Sequence, residues 1–146
     1  AKTIEITASD HDGNAAAKVT ASYTVDTVPP TLTISSPLDG LATNQKNVVL
    51  TGITNDTLSS PVTVTVMHGS ASYTPAVAND GSFSQALVLT EGVNTIKIVS
   101  TDAAGKSTTI NLTVTLDTSV PTIKSATFAP NPVNASASVQ ITLEVE

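Results

Sequence analysis

The feature that most constrains this chain is an internal repeat. The stretch Lys2–Asn14 (KTIEITASDHDGN) recurs as Asn94–Lys106 (NTIKIVSTDAAGK) with a spacing of 92 residues. The matched positions are Ile4 with Ile96, Ile6 with Ile98, Asp10 with Asp102, Gly13 with Gly105 and, at a spacing of 91, Tyr23–Asp26 with Val114–Asp117. Self-similarity at a fixed period predicts repeated structural units. One complete repeat therefore lies between two incomplete ones.

Two proline-containing segments mark the borders of these units. Asp26-Thr-Val-Pro-Pro30 precedes the complete repeat, and Asp117-Thr-Ser-Val-Pro121 follows it. Proline lacks a backbone donor and holds the chain extended, so both linkers should be short and stiff. We predict the last two strands of a truncated unit in residues 1–28, a complete unit in 29–119, and the first strands of a further unit in 120–146. Pro130-Asn-Pro132 does not follow the middle repeat, which indicates that the third unit is divergent.

The segments within the units alternate between apolar and polar residues. Val62, Val64 and Val66 are separated by threonine, and Ile4 and Ile6 by glutamate, as in half-buried strands. No window shows a helical period of 3.6 residues. About seven short strands with turn signals between them are typical of a two-sheet β-sandwich. We therefore predict an all-β fold of tandem immunoglobulin-like β-sandwiches.

Composition excludes several classes of partner. The formal net charge is −6, with 12 acidic residues against six lysines and no arginine, so the basic clusters that bind nucleic acid are missing. No apolar run approaches the roughly 20 residues of a transmembrane helix, and we expect no membrane insertion in this segment. There is no cysteine, which excludes disulfides and thiolate metal sites.

The repeated residues resemble a known family. The pattern N-T-I-x-I-x-x-x-D-x-A-G-N/K, a following strand and a D-T-x-x-P linker are similar to the bacterial Ig-like repeats found in tandem in surface-layer proteins, adhesins and wall-associated enzymes. The resemblance covers Pro30–Asp117 as a full unit and Lys2–Asp26 as a partial one. The sequence departs from the pattern at Lys106, where asparagine is usual, and at His11-Asp12, where Ala-Ala is expected.

Nothing in the sequence indicates an enzyme. A hydrolytic triad needs a nucleophile, a base and an orienting acid that converge in space. The two histidines, His11 and His68, occupy predicted turns of different repeats, and there is no Gly-x-Ser-x-Gly motif. We expect both side chains to be solvated and the segment to be non-catalytic.

Calcium at the junctions between units is the sharpest hypothesis about a ligand. Ca²⁺ takes six to eight oxygen ligands, and carboxylates on adjacent loops can supply them. The resemblance suggests such a role for five residues: Asp10, Asp12, Asp26, Asp102 and Asp117. The structural alternative is that these carboxylates accept hydrogen bonds from backbone amides in Asx turns or end a strand. Asp12 adds a carboxylate to the first junction, which makes that junction the better candidate.

The resemblance implies a role outside the cell, either at the cell surface or in a secreted protein. Our leading interpretation is a structural spacer of a large bacterial surface protein, whether a surface layer, an adhesin stalk or a filament. Its partners would be neighbouring repeats of the same chain or other copies in a lattice. The alternatives are a ligand- or carbohydrate-binding adhesive module and an accessory domain of a secreted glycosidase or protease. The absence of tryptophan weighs against an aromatic sugar-binding platform.

Overall fold

The computed structural model of the protein describes residues 1–129, 138 and 140–145. All regular secondary structure in these ranges is β-strand. The strands are β1 Lys2–Ile6, β2 Val19–Tyr23, β3 Thr31–Ser36, β4 Leu41–Thr43, β5 Asn47–Asn55, β6 Thr63–His68, β7 Ala71–Tyr73, β8 Ser82–Val88, β9 Gly92–Thr101, β10 Ser107–Leu116, β11 Ile123–Ala129 and β12 Gln140–Val145. The predicted all-β fold is confirmed. Pro130–Pro132, on which the divergence of the third unit was argued, lies outside the described residues.

No helix in the described ranges is long and apolar enough to cross a membrane.

Strands β3 to β10 form two sheets. One has the order β4-β10-β9-β6-β7 and the other the order β3-β5-β8. Neighbouring strands run antiparallel except β4 and β10, which are parallel. The buried aliphatic and aromatic residues of both sheets, together with Leu89 directly after β8, make one core: Leu50, Val64, Val66, Phe83, Leu87, Leu89, Ile96, Ile98, Leu112, Val114 and Leu116. Burying such a side chain stabilises the fold by roughly 1.5–3 kcal/mol, so this core holds the two sheets together.

A glycine in β5 makes room for the largest side chain of the core. A Cβ added at Gly52 would lie 2.7 Å from the ring of Phe83 and 2.6 Å from the carbonyl oxygen of Thr33. Because contacts that short do not occur in folded proteins, any larger residue there would displace the ring or the neighbouring strand.

Strand β4 was missed by the sequence analysis. It contains three residues and lies at the edge of the larger sheet, where Val114 pairs with Leu41. Three residues are too few to show an alternating pattern, and the strand is recognisable only from its partner. Its neighbour in the chain, Asp39, accepts hydrogen bonds from the amide and the hydroxyl of Thr113 at 2.7 and 2.9 Å.

The flanking strands form two separate two-stranded sheets, β1-β2 and β11-β12. Ile4 and Ile6 are 51% and 58% exposed, although their repeat partners in β9 are fully buried. Tyr23 is likewise 45% exposed, although its repeat partner Val114 is fully buried. Two strands have no second sheet to cover them, and this accounts for the exposure.

Candidate metal centre

A buried pair of hydroxyl groups connects the two sheets at one end of the sandwich. The Oγ1 atom of Thr54 in β5 lies 2.6 Å from Oγ of Ser100 in β9, and Thr54 also donates to the carbonyl oxygen of Thr31 at 2.7 Å. Asp56 and Asp102 each follow one of these hydroxyl residues by two positions. The pair therefore brings the ends of β5 and β9, and with them the two aspartates, to the same place.

The loop after β5 is folded around Asp56. Its Oδ1 atom accepts hydrogen bonds from the amides of Leu58 at 2.8 Å and Ser59 at 2.9 Å. The carbonyl oxygen of Ser59 in turn accepts a hydrogen bond from the amide of Ala103 at 3.1 Å. This last bond ties the loop to the turn between β9 and β10.

That turn positions Asp102. The Asp102 amide donates to the carbonyl oxygen of Lys106 at 3.0 Å, and the Asp102 Oδ1 atom accepts the amide of Lys106 at 2.8 Å. Gly105 closes the turn with a φ of 80°, in the left-handed region that favours glycine. The Asp102 side chain is only 6% exposed, and its Oδ2 atom is buried with no hydrogen-bond partner.

The linker before β3 supplies the third carboxylate. Pro30 is buried and its carbonyl oxygen accepts the hydroxyl of Thr108 at 2.5 Å, which fixes the linker against β10. Four residues earlier, the Oδ1 atom of Asp26 accepts the amide of Val28 at 2.9 Å. The Asp26 Oδ2 atom is buried and has no hydrogen-bond partner.

The surroundings of Asp26 favour its ionised form. The nearby hydroxyl of Ser59 and the amide of Val28 lower the pKa of the Asp26 carboxyl below its ordinary value of 3.8, and the charge of Lys106 acts in the same direction. Partial burial opposes them. At neutral pH this side chain is therefore an anion.

Together the three aspartates form a compact acidic cluster. One carboxylate oxygen from each of Asp26, Asp56 and Asp102 can be chosen so that the three atoms lie within 4.8 Å of one another. Among the described residues no other group of three acidic, histidine or cysteine side chains meets this criterion. The arrangement offers a hard cation a set of oxygen donors from three different segments.

The structure brings two of the five residues predicted for calcium together and leaves three elsewhere. Asp26 and Asp102 lie in the cluster, whereas Asp10, Asp12 and Asp117 are outside it. Asp10 accepts the Asp12 amide at 3.1 Å, in the Asx turn that was the structural alternative. Asp117 accepts the Ser119 amide at 2.9 Å in the same way. Calcium binding at any of the five stays a prediction.

Sequence reasoning missed Asp56. It lies in the loop after β5, outside the repeated residues, so no equivalent position drew attention to it. The available signal was a carboxylate one residue beyond the end of β5. An alternating strand alone does not say which loop the linker will approach.

The two histidines differ in their surroundings. His11 is exposed in the first turn. His68, expected to be a solvated turn residue, is instead the half-buried last residue of β6, with Nε2 3.0 Å from Oδ1 of Asn94. That amide oxygen also accepts the Thr90 amide at 2.9 Å, and Nδ2 of Asn94 donates to the Thr90 carbonyl oxygen at 2.7 Å. Asn94 thus organises the turn between β8 and β9.

Two sheets packed face to face around one aliphatic core define this protein as an immunoglobulin-like β-sandwich. The chain belongs to the family described as Glucodextranase, domain B, whose sequence pattern matches residues 30–118. The matched residues run from the buried Pro30 of the linker to Thr118, two residues beyond the end of β10.

Two named proteins are similar to this chain, one in sequence and one in fold. It is 32% identical over 117 residues to Bacillopeptidase F of Bacillus subtilis (strain 168), a match that covers 80% of this chain and 8% of that protein. The chain therefore spans a small part of this relative's length. The X-ray structure of the endo-β-1,4-mannanase from Thermotoga petrophila superimposes with a TM-score of 0.54 at 14% identity, covering 64% of this chain and 21% of that one. At that identity the likeness concerns the fold alone.

Proposed function

We propose that this chain is a non-catalytic accessory segment of a large secreted glycosidase or protease. The observation that carries the proposal is the family match over residues 30–118, since the family is described as one domain of a glucodextranase. The 32% identity to a bacillopeptidase supports the same proposal, because the match takes up only 8% of that protein. Function depends on the site and not on the fold, so the hydrolytic activity would reside in other domains.

The accessory role is favoured over a surface-layer or adhesin element. The family is named for a glucodextranase and the relative by sequence is a bacillopeptidase, so both are hydrolases by their names. The proposal keeps one feature of the spacer interpretation, namely a stiff connection between neighbouring domains. Pro30 is buried and β3 begins at the next residue, so little free chain separates the linker from the sandwich. Such an attachment would hold neighbouring domains at a defined distance.

Antibodies raised against the 146-residue chain would test this proposal. Immunoblots of the culture medium, the cell surface and the cell interior should reveal a much longer polypeptide outside the cell. That polypeptide should co-purify with peptidase or glycosidase activity, while the isolated chain should hydrolyse neither casein nor α-glucan. An intracellular polypeptide, or turnover by the isolated chain, would contradict the proposal.

A further inference from the structure

The acidic cluster leaves two buried oxygen atoms without a partner. Oδ2 of Asp26 and Oδ2 of Asp102 are both buried and accept no hydrogen bond within the described structure. The Ser59 hydroxyl lies close enough to Asp26 to lower its pKa, but it leaves this Oδ2 atom unpaired. Buried polar atoms are nearly always hydrogen-bonded, and leaving one unpaired costs roughly 1–3 kcal/mol. Two such atoms in one cluster, one of them on a side chain that is 6% exposed, indicate a missing ligand.

The first copy of the turn shows how such an oxygen is ordinarily satisfied. There, Nδ2 of Asn14 donates to Oδ2 of Asp10 at 2.8 Å. The position equivalent to Asn14 in the second copy is Lys106, whose side chain forms no hydrogen bond or ion pair with Asp102 in the described ranges. The unpaired acceptor is thus a property of the second turn and not of the turn type.

We propose that Asp26, Asp56 and Asp102 bind a calcium ion that joins the linker to the two loops at this end of the sandwich. All three donors are carboxylate oxygens, which suit Ca²⁺ and Mg²⁺ and not the metals that prefer imidazole or thiolate. Oxygens bound to one calcium at 2.3–2.6 Å lie at most about 5 Å apart, and the three atoms fall within 4.8 Å of one another. Water molecules would complete the shell.

Calcium fits better than magnesium for a geometric reason. The three carboxylates come from separate segments, and each already has Oδ1 fixed by backbone amides, of Val28, Leu58 and Lys106 among others. Magnesium demands a near-ideal octahedron at 2.0–2.1 Å, whereas calcium accepts irregular shells of six to eight oxygens. Side chains anchored in this way are suited to the more tolerant ion.

The main rival is that Lys106 itself neutralises the cluster. Its charge favours the ionised form of Asp26, so it lies within electrostatic range. It nevertheless makes no ion pair within 4.0 Å with Asp26, Asp56 or Asp102, all of which the structure describes. A single exposed ammonium group also leaves three carboxylates undercompensated.

Calcium titration of the intact 146-residue chain, dialysed against chelator, tests the proposal by calorimetry and by the midpoint of thermal unfolding. The chain should bind one ion with a dissociation constant on the order of 10⁻⁴ to 10⁻³ M, the range of extracellular calcium modules, and magnesium should bind more weakly. The unfolding midpoint should rise with calcium concentration, because an ion that binds only the folded state stabilises it. No heat and no shift at about 10 mM calcium, well above that range, would overturn the proposal.

Matched variants locate the site. Asp56→Asn keeps an oxygen for the Leu58 and Ser59 amides but loses the charge, and it should weaken calcium binding about tenfold or more. Asp26→Asn and Asp102→Asn should weaken calcium binding in the same way. If Asp102→Asn fails to fold, the other two variants still decide the test. Asp10→Asn is the control, since Asp10 occupies the equivalent turn outside the cluster. Weakening by the control alone, or equal affinity in all variants, would overturn the assignment. The site itself is argued from the geometry of the cluster; only the expected affinity range rests on the extracellular location in the proposed function.

Discussion

The turn at Asp10 and the turn at Asp102 have the same backbone and different surroundings. In each, the aspartate amide donates to the carbonyl oxygen four residues on at 3.0 Å, and the glycine amide donates to the aspartate carbonyl oxygen at 3.2 Å. Oδ1 of each aspartate accepts the amide four residues on at 2.8 Å. Yet Asp10 is exposed, whereas Asp102 is buried beside Asp26 and Asp56.

Two features account for the difference. Asn14 completes the first turn through its side-chain amide, while Lys106 leaves Oδ2 of Asp102 without a partner. The second turn also lies against the linker and the Asp56 loop, which come from other parts of the chain. Repetition in the sequence thus predicts the local backbone, and the neighbours decide whether a repeated carboxylate is a solvated turn residue or part of a candidate site.

The largest effect is expected where equivalent isoleucines differ most in burial. Ile98 is fully buried in β9, and its repeat partner Ile6 in β1 is 58% exposed. Ile98→Ala should lower the free energy of unfolding by about 2–5 kcal/mol through lost burial and a cavity. Ile6→Ala should change it by less than about 1 kcal/mol. Urea denaturation of both variants checks the pair, and equal losses would show that the first hairpin packs as the second one does.

The two turn glycines should show the same local strain with different global consequences. Gly13 and Gly105 have φ values of 87° and 80°, and a Cβ added at either position meets no atom within 4 Å. Substitution by alanine should therefore cost only the backbone term, roughly 1–2 kcal/mol at each site. Gly105→Ala should lower the denaturation midpoint of the sandwich.

Gly13→Ala should instead raise the rate of amide hydrogen exchange within β1 and β2, since a two-stranded sheet opens locally. The denaturation midpoint of the sandwich should stay unchanged. Loss of protection across β9 and β10 in this variant would show that the two regions unfold together.

An asparagine at position 106 should supply the missing hydrogen bond to Oδ2 of Asp102. In chelator, Lys106→Asn should raise the free energy of unfolding by roughly 0.5–1.5 kcal/mol, because a side-chain amide can then donate to Oδ2 as Asn14 does in the first turn. Lys106→Ala is the control, since it removes the same charge without adding a donor. If both variants stabilise the chain equally, charge and not the missing hydrogen bond distinguishes the turns.

The smallest effect concerns the protonation of Asp10. The Asn14 side chain and amide lower the pKa of Asp10 below its ordinary value of 3.8. A depressed pKa in the folded state contributes stability above the unfolded pKa, and this contribution is lost as the pH falls below 3.8 through the folded value. Carboxyl ¹³C titration by NMR should show the Asp10 midpoint moving up toward 3.8 in Asn14→Ala. An unchanged midpoint would mean that the amide bond, and not the side chain, controls this pKa.

The sequence predicted the fold class because the signals of a β-sandwich are local. Alternation in β1 and β6 and the glycine of each repeated turn all depend on neighbouring residues. The short edge strand β4 was missed because its only evidence is the parallel pairing of Leu41 with Val114, residues far apart in the chain.

The candidate site was only partly predictable for the same reason. The repeat pointed to Asp102, and the linker pattern pointed to Asp26, so two of the three carboxylates were found. The sequence also favoured the Asp10-Asp12 turn as the calcium site, because that turn has two carboxylates. In the structure, Asp10 instead makes its hydrogen bonds within its own turn. Asp56 joins the cluster through the Thr54–Ser100 contact between sheets, which no pattern along the chain encodes.

A calcium titration followed by ¹H–¹⁵N NMR compares the two turns in a single sample. The backbone amides of Val28, Leu58 and Lys106 donate hydrogen bonds to the cluster carboxylates. Starting from chelator-treated protein, the account predicts that the signals of these amides shift with one common dissociation constant. The amides of Asp12 and Asn14, which bind Asp10, should stay in place. Shifts at the Asp10 turn with none at the cluster, or no shifts at all, would contradict the claim that the buried copy of the turn is the one that binds a cation.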